Sequence, residues 1–172
     1  PENVGLVASG RAKLLDFGLA VCLTSQGEEI KDPEATWRSK VYDMVYDLTA
    51  ETGTLRYMSR EVAYGKKYGL KADVYSFAVV AWEILVVCKP FVGMNSQEYK
   101  NRVCGQGLRP NLPEGWCSEL KAIFEKAWHH NPSTRPNFDQ ICKSLQPILA
   151  RAGSEGYVDP LGETTTQVDC CC

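Results

Sequence analysis

The chain has 172 residues, a length suited to one domain, and its 44% apolar composition is enough to bury an ordinary core and excludes disorder throughout. Nineteen basic and twenty-one acidic residues leave a formal charge of −2, so nothing global favours nucleic acid or an anionic membrane surface. The longest apolar stretch, Phe77 to Val87, is interrupted by Glu83 and falls short of the ~20 residues a bilayer requires, so no transmembrane segment is expected.

In chain order, Asn3 to Leu6 and Ala12 to Leu15 are short apolar runs separated by a loop containing Gly10, which reads as a β-hairpin. Antiparallel pairing sets the start of the first run beside the end of the second. Asn3 and Asp16 are therefore expected to meet at the open end, where both side chains offer oxygen ligands. From Leu19 to about Leu48 the chain is polar and aperiodic, a loop long enough to be functional or disordered. Lys71 to Val87 is apolar on nearly every side and reads as a buried helix, with Asp73 placed like its N-cap. Asn95 to Glu98 has the form of a capping box and opens a short helix to about Val103, closed by Gly105. Ser118 then caps a third helix, in which Leu120, Ile123, Phe124, Ala127 and Trp128 make one apolar stripe for the core. Asn131 to Pro136 breaks the pattern. Phe138, Ile141, Leu145 and Ile148 mark a last helix, bent or ended near Pro147.

The remainder, from Gly153, is aperiodic and reads as a tail ending in Cys170, Cys171 and Cys172. The other cysteines (Cys22, Cys88, Cys104, Cys117 and Cys142) stand singly, with no C-x-x-C pair for zinc. Scattered thiols of this kind point to a reducing, cytoplasmic setting. The chain begins at Pro1 with no initiator Met, which suggests a fragment.

Five motifs follow one another: Pro1-Glu2-Asn3, Asp16-Phe17-Gly18, the run Gly53 to Glu61 with Thr54 and Tyr57, the run Asp73 to Phe77, and Arg135-Pro136. In this order and spacing they resemble the large lobe of a eukaryotic protein kinase, over about Pro1 to Leu149. Arg135 to Phe138 and Asp73 to Phe77 are similar to the tyrosine-kinase-like group of serine/threonine kinases. The resemblance implies a mainly α fold: a helical C-lobe with a small β-hairpin carrying the metal site, and the N-lobe absent. Residues 1–150 would form that lobe and 151–172 a flexible tail.

The resemblance also implies roles. Asn3 and Asp16 match the two residues that hold magnesium against ATP phosphates, and Glu2 matches a position whose backbone faces the ATP ribose. Phe17 would pack inward and report the active or inactive state, while Gly18 would let the backbone swing. Thr54 would help hold the catalytic Asp and marks serine/threonine transfer to protein substrates. Asp73 would anchor the catalytic loop, and Glu61 with Arg135 would form the lobe's buried ion pair. The segment from Leu19 to about Thr52 would be the activation loop, with Thr24, Ser25, Thr36, Ser39, Tyr42, Tyr46, Thr49 and Thr52 as candidate phosphate acceptors.

Three departures stand out. Where the family writes A-P-E, this chain has Ser59-Arg60-Glu61. The Gly-rich loop, the strand Lys with its Glu partner and the H-R-D residues are absent, so these residues alone are not expected to transfer phosphate. The terminal cysteines could be acylated and anchor the chain to a membrane, or could bind metal. The rival from another class is a pseudokinase that keeps the fold as a binding scaffold.

Overall fold

The computed structural model describes residues 2–9, 11–21, 28, 29, 44–46, 48 and 54–154. Val4–Leu6 (β1) and Ala12–Leu14 (β2) pair antiparallel, with Val4 opposite Leu14 and Leu6 opposite Ala12. The Val7 N–H donates to Arg11 O at 3.0 Å on the loop side, and the Leu15 N–H donates to Asn3 O at 2.8 Å on the open side. That last bond carries the ladder one step past β1 and leaves Asp16 next in line. The long polar stretch is not wholly irregular: Glu28–Glu29 (β3) pairs antiparallel with Met44–Val45 (β4). Tyr46 then bridges Tyr68 through reciprocal backbone bonds of 2.9 and 3.1 Å. The apparent lack of a period arose because ladders of two residues are too short to show one.

The helical body is built around Lys71–Val86 (α2), whose Ala72, Val74, Tyr75, Ala78, Val79, Trp82 and Glu83 are buried. The helix is not covered on every side as expected: Ile84 is 50% and Leu85 53% exposed. The helix starts at Lys71 after Leu70, so Asp73 lies inside the first turn and is not the cap. A carboxylate there still faces the positive end of the helix dipole without capping it. Before α2 come a 3₁₀ turn, Leu55–Tyr57, and a one-turn helix, Arg60–Ala63 (α1).

Ser96–Glu98 (α3) opens on the expected capping box, with Glu98 N–H donating to Asn95 Oδ1 at 2.9 Å and Asn95 N–H to Glu98 Oε2 at 3.1 Å. It continues as a π-helical stretch over Tyr99–Gly105, which buries Tyr99, Val103 and Cys104. Ser118–Ala127 (α4) is preceded by Cys117 as N-cap, one residue earlier than the Ser118 expectation. The Ser118 hydroxyl bonds the Glu119 carboxylate at 3.2 Å rather than a first-turn N–H. Its stripe is inward as read, with Phe124, Ala127 and Trp128 buried and Leu120 and Ile123 packed against them.

Phe138–Ser154 (α5) runs through Pro147 without ending there. Proline forfeits one backbone bond inside a helix, and Pro147 is solvent-exposed, where water can satisfy the freed carbonyl. Asn137 caps this helix with Gln140 in a second capping box of two 2.8 Å bonds. Cys104, Cys117 and Cys142 are free thiols, whereas Cys88 is disulfide-bonded, which departs from the expectation of isolated thiols. Among the described residues no helix is long and apolar enough to cross a membrane.

Candidate functional site

The open end of the hairpin positions the two oxygen-bearing residues read from the sequence. Asn3 sits opposite Leu15 through the backbone bond described above, and Asp16 follows directly. Glu2, Asn3 and Asp16 are all exposed. Asp16 has φ +59°, a left-handed conformation that aspartate tolerates better than most residues. Its Oδ1 accepts the Gly18 N–H at 3.1 Å, leaving Oδ2 with no protein partner among the described residues.

The left-handed backbone at this turn is at Asp16, and Gly18 leaves space beside its carboxylate. A Cβ on Gly18 would stand 3.2 Å from Asp16 Oδ1, closer than ordinary contact. Phe17 is 67% exposed, contrary to the inward packing the resemblance implied. Leu15 and Leu19 beside it are exposed as well.

The segment 54–61 is tied to α2 by polar contacts that sequence reading did not single out. Tyr57 Oη donates to Glu83 Oε2 at 2.8 Å, and Ser76 Oγ donates to Tyr57 O at 2.8 Å. Burial, followed by the hydrogen bond and charge of Glu83, pushes the Tyr57 hydroxyl up to about 12. The signal available in sequence was Glu83 itself, a lone acid inside an apolar helix, which calls for a donor. Tyr99 Oη closes the other side by donating to Arg56 O and Met58 O at 3.1 and 3.0 Å. Thr54 sits exposed at the start of the 3₁₀ turn, and its side chain makes no capping bond.

Glu61 and Arg135 form the ion pair that the resemblance implied. Arg135 Nη1 donates to Glu61 Oε1 at 2.5 Å and Nη2 to Oε2 at 3.0 Å, with the guanidinium fully buried. Its other donors reach the carbonyls of His129 at 2.8 Å, Lys71 at 2.9 Å and His130 at 3.5 Å, so all five N–H groups are engaged. Burial alone would raise the Glu61 carboxyl. The Arg135 hydrogen bonds and charge outweigh it and hold the group below the usual carboxylate range. Arg60, in the place of the family's proline, leaves this pair intact: it occupies the first position of α1 and its Nη1 meets His130 Nε2.

Asp73 makes no hydrogen bond among the described residues, and burial raises its carboxyl above the ordinary value although the residue keeps exposed surface. The catalytic-loop backbone it would anchor precedes Asn3, so that role has no partner in these residues. Among the candidate phosphate acceptors only Tyr46 is described, and its backbone is held by Tyr68. The other acceptors, and the cysteine tail, lie outside the described residues. Among the described residues there is no cluster of three or more His, Cys, Asp or Glu side chains able to hold a metal by themselves. A cation at the hairpin would take most of its coordination from ligand phosphate and water, as magnesium commonly does.

Comparison with known proteins identifies the architecture. The family described as "Protein tyrosine and serine/threonine kinase" matches residues 2–145. The serine/threonine-protein kinase STY46 of Arabidopsis thaliana is 39% identical over 109 residues, which is 63% of this chain and 19% of that protein. STY17 from the same plant is 33% identical over 143 residues, 83% of this chain and 22% of that protein. The dual specificity protein kinase shkD of Dictyostelium discoideum is 33% identical over 140 residues, 81% of this chain and 16% of that protein. The chain thus spans about a fifth of the length of these relatives. The hairpin, the Glu61–Arg135 pair and these matches together show that this chain belongs to the protein kinase family, as a part of the helical C-lobe.

Proposed function

We propose that the chain is the substrate-side and metal-side part of a serine/threonine kinase that transfers the γ-phosphoryl group of ATP to hydroxyls of protein substrates. What supports this reading is the hairpin register, which sets Asn3 opposite Leu15 and so next to Asp16 within a kinase lobe. The donor chemistry suits the cofactor: a carboxamide and a carboxylate, both exposed, are the hard oxygen ligands magnesium prefers. Magnesium bound with ATP would neutralise charge on the phosphates during transfer. The chain's own contribution would be to fix those two ligands through the hairpin ladder and the Gly18 bond. Thr54 and the segment tied to Glu83 would present the acceptor hydroxyl.

Relatives named as dual specificity kinases favour a second reading, in which tyrosine hydroxyls are accepted as well. A pseudokinase scaffold is the rival reading; the retained Asn3, Asp16 and Gly18 favour the enzyme, while Arg60 in place of proline favours the scaffold. A cytoplasmic setting is supported by the free thiols Cys104, Cys117 and Cys142 and opposed by the disulfide at Cys88.

The test is Mg-ATP-dependent phosphorylation of serine, threonine and tyrosine peptides by the longer protein that carries this chain, with Asp16→Ala as control. The reading expects transfer to serine or threonine that Asp16→Ala abolishes. Activity that persists in Asp16→Ala would remove the site assignment, and no transfer by the wild type would leave the scaffold.

A further inference from the structure

An open cavity of about 460 Å³ lies between the chain following Gly105 and the end of α4, lined by Arg109, Asn111, Glu125, Trp128, His129 and His130 among others. It shares no lining residue with the hairpin or with the segment 54–61. Three of its lining residues, Arg109, His129 and His130, carry N–H groups that their protein partners leave unused.

His129 Nδ1 accepts the Asn131 backbone N–H at 3.0 Å, so its hydrogen sits on Nε2; the 3.3 Å approach of Nδ1 to Asn131 O is then secondary. His130 Nε2 meets Arg60 Nη1, and because a guanidinium cannot accept, the neutral His130 ring is assigned its hydrogen on Nδ1. Arg109 commits Nε to Trp128 O at 2.8 Å and Nη1 to Val103 O and Leu108 O at 3.1 and 2.8 Å, leaving Nη2 without a bond among the described residues. Packing of Arg109 at 5.1 Å over the Tyr75 ring fixes its guanidinium plane.

Charge agrees with the donor pattern. Arg60 and Arg109 form no ion pair with a carboxylate among the described residues, and Arg135 has only Glu61. Burial, and after it the charges of Arg60, Arg109 and Arg135 and then His129, hold the His130 imidazole below its ordinary range. The acid among the residues named for the cavity is Glu125, which is exposed on α4. A wall of fixed N–H donors in a positive field is complementary to an acceptor-only group.

We propose that this cavity binds an oxyanion, the phosphate or carboxylate group of a ligand, between Arg109, His129 and His130. Glu125 at the rim opposes the ligand and weakens it. Nothing in this assignment depends on the hairpin or on phosphoryl transfer.

The test is a titration of the 172-residue chain with inorganic phosphate and, separately, with acetate, at ionic strength held constant with sodium chloride, read on the histidine ring signals by NMR. Expected are saturable shifts of the His129 and His130 rings and a rise in the His130 titration midpoint, because a bound anion stabilises the imidazolium. Glu125→Gln should tighten binding by roughly two- to fivefold, the scale of one exposed charge interaction, and His129→Phe should weaken it. Both substitutions are at exposed positions, and unchanged ring signals of His130 before titration would verify the fold. Saturation by phosphate alone would assign a tetrahedral ligand, and saturation by both probes a shared oxyanion site. Absence of saturable shifts with either probe, or a Glu125→Gln chain that binds no tighter, would overturn the proposal.

Discussion

Val87 ends α2 with φ +55° and is 79% exposed, so a β-branched side chain occupies a left-handed position that favours glycine. Such a conformation costs about 1–2 kcal/mol for a residue with a Cβ. Little packing is lost if the side chain is removed, because most of it already faces water. Val87→Gly is therefore expected to raise the thermal melting midpoint in calorimetry, and a lower midpoint would show that the side chain holds a contact worth more than the strain. At Gly18 the reasoning runs the other way. The backbone there is ordinary, but a Cβ would crowd Asp16 Oδ1 at 3.2 Å. Gly18→Ala should thus leave the melting midpoint close to wild type while weakening divalent-cation binding at Asp16, measured by isothermal titration. Unchanged binding would mean that the space beside Asp16 Oδ1 does not shape the site.

Between elements, the Glu61–Arg135 pair joins α1 to the loop before α5 and rests on the first turn of α2 through Lys71 O. Removing one partner of a buried pair typically costs ~3–5 kcal/mol, because the other charge is left unpaired. Glu61→Ala is expected to fall in that range in urea denaturation. Arg135→Lys should recover little, since an ammonium cannot reproduce five donors in a planar fork. The folded Glu61 pKa lies below its unfolded value, so its contribution is complete above the ordinary carboxylate pKa of ~4.3 and is lost as pH falls through the folded value. A wild-type chain whose stability falls in this acid range more steeply than that of Glu61→Gln would bear this out, and parallel profiles would contradict it. In α5, Pro147 lies inside a helix on its exposed side. Pro147→Ala should restore a backbone bond and increase helicity by circular dichroism, with a gain of up to ~3 kcal/mol. A loss would mean that the helix needs the proline to bend.

Across the whole molecule, the parts legible in the sequence were those set by local pattern. The hairpin followed from two apolar runs around a glycine loop, the α4 stripe from 3.6-residue spacing, and the Asn95–Glu98 capping box from residue type alone. The Glu61–Arg135 pair, 74 positions apart, was accessible only through family resemblance, because no periodicity links such distant residues. Phe17 and the outer face of α2 differ from the expectation for a common reason: each depends on what lies above the residue, and that is a tertiary fact. Tautomer fixing at His129 and His130 was invisible for the same reason.

The most direct measurement of the central claim is paramagnetic line broadening by Mn²⁺, standing in for magnesium, in the presence of ATP. The account predicts selective broadening of the backbone signals of Asn3 and Asp16, with neighbours in β1 and β2 affected less, and its loss in Asp16→Ala. Broadening of only one of the two residues, or an identical pattern in Asp16→Ala, would show that they do not share a cation and would contradict the assignment.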